Sequence, residues 1–154
     1  MKLWLSSALL TGLAVCAYAQ EVTPGQWEDK TSYTVNGKPL AIPDEHGRQV
    51  SVHTSTGCLA SKDAGDVRAT MERNMARDMP GCRLTQWNYV AGTLKVKVNC
   101  DAGAQGGTGT LEGSGPLSAN RYDISGTGRS QHPQFGPMTI GFRYQGRYVG
   151  ACKS

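Results

Sequence analysis

Cys82-Arg83-Leu84-Thr85-Gln86-Trp87-Asn88-Tyr89-Val90-Ala91-Gly92-Thr93-Leu94-Lys95-Val96-Lys97-Val98-Asn99-Cys100 is the stretch that decides the fold. Residues 83–89 and 93–99 read as two strands around Val90-Ala91-Gly92, and a three-residue loop there places Cys82 directly opposite Cys100. Four cysteines lie beyond residue 19, namely Cys58, Cys82, Cys100 and Cys152. An even set in a chain bound for an oxidising compartment implies two bridges. With Cys82 assigned to Cys100, Cys58 is left to pair with Cys152. No interval has the form Cys-x-x-Cys, so the zinc-ribbon and thioredoxin readings lack their spacing.

Upstream, Gln26 to Val35 alternates, with Trp27, Thr31, Tyr33 and Val35 on one side and Glu28, Lys30, Ser32 and Thr34 on the other. That is the period of a half-buried strand. Asn36-Gly37 then signals a tight hairpin. Pro39 and Pro43 allow the return segment, Lys38 to Ile42, only brief or edge pairing. Gln49 to Thr56 reads as a further strand running into Cys58. One helix follows: Ser61 suits the cap, Asp63 and Asp66 the first turn, and Val67, Met71 and Met75 recur every fourth residue until Pro80-Gly81.

Downstream of Cys100, a glycine-rich connection from Asp101 to Gly107 leads to weaker strands near 108–112 and 120–125. Gly126 to Pro137 reads as a surface loop, because Gly, Ser, His and Pro punctuate it. Met138, Ile140, Phe142 and Tyr144 alternate along a C-terminal strand, with a turn expected near Gln145-Gly146. Seven or eight strands with short connections and one amphipathic helix predict a mainly β fold: an antiparallel meander curled into a barrel or half-barrel, held by two disulfides.

The N-terminus has another purpose. Lys2, an apolar stretch from Leu3 to Val15, and Ala17-Tyr18-Ala19 follow the order of a secretory signal peptide, with cleavage after Ala19. The chain thus divides into a signal peptide, residues 1–19, and a single β-rich domain, residues 20–154. Leu13-Ala14-Val15-Cys16 superficially resembles a lipobox, but bulky Val15 fits poorly where small residues are preferred. No later segment is apolar enough to span a membrane. The formal net charge of the whole chain is +4, and its Lys and Arg are scattered, unlike the clustered footprint of a nucleic-acid binder.

Candidate chemistry is sparse. Met71, Met75 and Met79 could be thioether ligands for copper, yet the same spacing is what a core-facing helical stripe requires. His46, His53 and His132 lie too far apart to hold a metal on one element. Gly103 to Gly109 lacks the Gly-Lys-Ser/Thr ending of a P-loop and is followed by no convincing helix. There is no Gly-x-Ser-x-Gly, and no carboxylate pair or Cys/His set can be tied to one site by spacing. No catalytic residue, metal site or cofactor is therefore assigned, and the four cysteines are assigned to bridges. His132-Pro133-Gln134-Phe135 resembles a short streptavidin-binding peptide motif, but inside the chain it reads as coincidence.

Several of these features occur together. Pro24-Gly25-Gln26-Trp27-Glu28 at the start, Cys58 followed by a helix, the pair Cys82 and Cys100, and Arg147-Tyr148-Val149-Gly150-Ala151-Cys152 at the end resemble one bacterial family, domain of unknown function 3617. The resemblance covers nearly the whole mature chain. Ala151 departs from the commoner ending, in which Pro precedes the last Cys. The family implies export, to the periplasm where the cell has an outer membrane, and brings no established activity or catalytic residues. The expected function is non-enzymatic: binding a small apolar ligand or an envelope protein partner through the concave face or an open edge. Trp27, Tyr33, Phe142 and Tyr144 are candidates to line the ligand site. A metal-handling protein using the methionines and an enzyme with an unrecognised site are the alternatives.

If cleavage follows Ala19, intact-mass measurement of the exported protein should give a chain beginning at Gln20. A diacylglycerol adduct on Cys16 would contradict this reading.

Overall fold

The computed structural model describes residues 21–101, 103 and 107–153. The expected signal peptide, with Cys16, and part of the glycine-rich connection lie outside the described residues. The first strand, β1 (Gly25–Val35), turns at Asn36-Gly37 into the short β2 (Lys38–Pro39). Asn36 and Gly37 both have positive φ, 51° and 78°, as a type I′ turn requires. A two-strand ribbon, β3 (Ile42–Pro43) and β4 (Gln49–Val50), stands apart from the main sheet. The segment expected as one strand from Gln49 to Thr56 is divided, with β5 (His53–Leu59) pairing alongside β1.

The expected single helix is two. α1 (Ser61–Ala64) is followed by α2 (Val67–Asp78), and Asp66 is the N-cap of α2, its carboxylate accepting from the Ala69 N–H at 3.0 Å. Asp63 links the two, since its carbonyl accepts from the Thr70 hydroxyl at 2.7 Å and its carboxylate pairs with Arg73 at 2.8 Å. Met75 is buried and Met71 half-buried, whereas Met79 at the end of the stripe is exposed. α2 lies against the next strand.

From there the chain is a meander: β6 (Cys82–Val90), β7 (Thr93–Asp101), β8 (Thr108–Pro116), β9 (Arg121–His132) and β10 (Gly136–Gly150). The eight-stranded antiparallel sheet runs β2-β1-β10-β9-β8-β7-β6, with β5 also beside β1. It remains open, in the half-barrel-like form, with β6 at one edge and β2 and β5 sharing the other. The β6–β7 connection is a two-residue turn, Ala91-Gly92, rather than three residues. That register alone would misalign the cysteines by one residue. A bulge between Leu84 and Gln86 absorbs the offset, so Cys82 faces Cys100. The two are joined, as are Cys58 and Cys152.

Of Gly126 to Pro137, expected as a loop, residues 126–132 form the second half of β9 and residues 136–137 begin β10, and β10 passes through Gly146 without a turn. The reason is steric. Antiparallel register puts Gly113 opposite Val96 and Gly126, and Gly115 opposite Leu94, on the face that buries Leu94, Val96 and Val98. A Cβ on Gly126 would fall against the Glu112 carbonyl and the Gly113 Cα, and one on Gly113 would meet Phe142 Cζ at 2.7 Å. Here glycine marks close approach within a curled sheet, not a break in it.

The core forms on this curled face. Val22, Trp27, Ala64, Leu94, Val96, Leu117 and Ile124 are buried together, with Val67, Leu84, Trp87 and Tyr89 among the half-buried residues packed on them. Trp27 stacks on Tyr122 at 6.1 Å, meets Tyr148 edge-on at 6.3 Å, and donates its indole N–H to the Thr23 carbonyl at 2.9 Å. Val22 donates its backbone N–H to the Ala64 carbonyl at 3.0 Å, fastening the leading segment to α1.

Gly126→Ala is expected to lower stability by about 1–3 kcal/mol through overpacking, while Gly57→Ala, where an added Cβ meets nothing within 4 Å, should be close to neutral; denaturant melts compare the two. Serine replacement of Cys58 and Cys152, which span 94 residues, should cost about 4–5 kcal/mol, and of Cys82 and Cys100, which span 18, about 3 kcal/mol by loop closure. The same melts check this ranking, and non-reducing peptide maps should recover both linkages.

Candidate functional site

Beyond the buried cluster the apolar face continues along β1 and β10. Register sets Thr31 opposite Tyr144, Tyr33 opposite Phe142, and Val35 opposite Ile140, so all six share one face. Leu111 joins them across β9, where it faces Gly128, which in turn faces Ile140. All seven are half-buried. Phe142 also packs on the buried cluster, and the cluster reaches no further in this direction.

The aromatic side chains are arranged, not merely adjacent. Tyr33 and Tyr144 meet edge-on at 5.9 Å, and their hydroxyls share a hydrogen bond of 2.6 Å. The Phe142 ring lies 5.4 Å from that of Tyr144. Such pairs add directional attraction to simple area burial. Burial, together with the Tyr33 hydroxyl, pushes the Tyr144 phenol up from its ordinary value. Tyr122 is raised likewise by burial and by Asp29, whose carboxylate accepts its hydroxyl at 2.7 Å. Both phenols stay neutral near pH 7. They can orient a polar group but are not poised as bases or nucleophiles.

Of the four aromatics singled out in the sequence, Tyr33, Phe142 and Tyr144 come together here. Trp27 lies apart in the core and is only 5 % exposed. His46 lies beside Glu45 at 3.4 Å, His53 is on β5, and the Nδ1 of His132 accepts from the Gln134 N–H at 3.1 Å in the β9–β10 turn. These positions are on separate elements. Among the described residues no group of three or more His, Cys, Asp or Glu is placed to hold a metal ion. Sequence reading missed Leu111, because its membership depends on cross-strand register.

The residues that carry the family resemblance gather elsewhere, at one corner of the sheet. Trp27 pairs with Tyr148, while Gln26 is opposite both Gly150 and Cys58. A Cβ on Gly25 would come 2.5 Å from the Gly150 carbonyl and 2.6 Å from Tyr148 Cε2, at a φ of +142° that itself favours glycine. Glu28 accepts two hydrogen bonds from Arg147, at 3.0 and 3.1 Å, which lower its pKa. The Cys58–Cys152 bridge closes the corner. This is a clasp between the first and last strands.

No curated protein and no solved structure matches the chain. Comparison with known protein families matches residues 22–152 to the family described as "Protein of unknown function (DUF3617)". That span takes in every strand of the sheet and both bridges, and the chain belongs to this family.

Proposed function

We propose that this is an exported, non-enzymatic binding protein that takes a small apolar ligand on the Tyr33–Phe142–Tyr144 surface. The observation that carries the reading is that this surface extends the core face past the end of the buried cluster, leaving aromatic and aliphatic side chains half-exposed. A sheet face of this composition gains free energy by being covered, at about 25 cal/mol per Å² of apolar area. The paired hydroxyls of Tyr33 and Tyr144 add a polar mark by which a ligand's head group could be oriented. Export is supported by the N-terminal sequence and by the two bridges, which suit an oxidising compartment. Among the described residues no helix is long and apolar enough to cross a membrane.

The uncharged fluorophore N-phenyl-naphthylamine tests the site. Saturable fluorescence enhancement is expected with the wild type, and Ile140→Asp or Tyr33→Ala should weaken it about tenfold or more. Neither residue belongs to the buried cluster, so circular dichroism should show both variants folded. Equal titration of the variants and wild type, or no saturable binding by the wild type, would count against this surface.

A further inference from the structure

On the opposite, polar face of the sheet three acids each have a basic partner, while Asp101 at the end of β7 accepts from the Gly103 N–H at 3.2 Å. Glu28 is held by Arg147, Asp123 by Arg143 at 2.9 and 2.8 Å and by Gln145 at 3.0 Å, and Glu112 by Lys97 at 2.8 Å. Arg129, toward the C-terminal end of β9, differs. Its register neighbours are Thr110 on β8 and Thr139 on β10 rather than carboxylates. It lines a cavity of about 790 Å³ in which it is the one charged side chain among the described residues.

The rest of that lining is biased toward donation. The Asn36 side-chain oxygen accepts from the Thr139 N–H at 2.9 Å, and the Asn99 oxygen accepts from the Thr110 hydroxyl at 3.3 Å. With both amide oxygens engaged, each amide still has an NH₂ to offer. A permanent guanidinium, two amide NH₂ groups and the hydroxyls of Thr108 and Thr139, with no acid among the described lining residues, favour an oxyanion over a cation here.

We infer that this cavity is a second site, independent of the apolar surface, which binds an oxyanion group, phosphoryl or carboxylate, through Arg129 with Asn36 and Asn99. Its walls fit the charged head of a ligand whose remainder extends into solvent. Arg129 supplies the charge and the bidentate geometry, and the two amides supply directed hydrogen bonds.

NMR titrations of the full mature protein at about 0.15 M salt, with inorganic phosphate, citrate or glycerol, provide the test. Saturable shifts of the Arg129 side-chain N–H and the Thr110 and Thr139 amides are expected with phosphate, citrate or both, and none with glycerol. The responding anion distinguishes a phosphoryl from a carboxylate ligand. Arg129→Gln should weaken binding about tenfold or more. Lys95→Gln removes a charge from the same face but outside the cavity lining and should leave affinity unchanged. The inference is overturned if neither anion gives saturable shifts, if Arg129→Gln binds like the wild type, or if Lys95→Gln loses as much affinity, since a diffuse field would then suffice.

Discussion

At Gly113 and Gly126, where β8 meets β9, the apolar face has no room for a side chain, and the rest of the molecule depends on that. Gly113 faces Gly126 across the seam, and at these positions even a methyl group would collide with backbone or with the Phe142 ring. Removing side chains there lets the sheet curl and lets Phe142 and Leu111 descend over the bare backbone. The side chains of β7 and β10 can then share a core without a second sheet behind them. Glycine within strands carries an entropic cost relative to alanine of roughly 0.5–1 kcal/mol each, and two cross-links in the same small domain help offset it.

The strands around the two tight turns were legible because alternation and turn chemistry agree there. Asn36-Gly37 marks its hairpin unambiguously. At Ala91-Gly92 the cysteine pairing followed from a miscounted loop, because the bulge beside Thr85 restores the register that the shorter turn would have lost. Residues 126–132 misled for a physical reason: glycine is the usual punctuation of loops, and only the neighbouring strands reveal that here it permits contact. Gly146 repeats the lesson, since the Tyr122 ring occupies the space a side chain would need.

The candidate site was legible in its chemistry and not in its extent. Tyr33, Phe142 and Tyr144 stand out as alternating aromatics, but which aromatics are sealed depends on how far the core spreads, and Trp27 fell on the buried side. The environment of Arg129 is built from four strands and a turn, so no spacing in the chain could announce it. The family signature is informative in a different way. Gly25, Trp27, Glu28, Arg147, Gly150 and Cys152 are spent on the clasp, so the resemblance identifies the fold and is silent about the ligand.

The place of β1 also governs the order of assembly. Its partner β10 is the last strand in the chain, and Val35 pairs with Ile140 while Trp27 pairs with Tyr148. The β6–β10 meander can form from neighbouring segments, and β2 and β5 can join one edge of β1 early, but its other edge must wait for a partner synthesised roughly a hundred residues later, a separation that favours slow folding. A chain delivered N-terminus first therefore presents an unsatisfied strand edge throughout its emergence, vulnerable to mispairing with other chains. Until its final segment arrives, that edge has no strand of the described sheet to pair with.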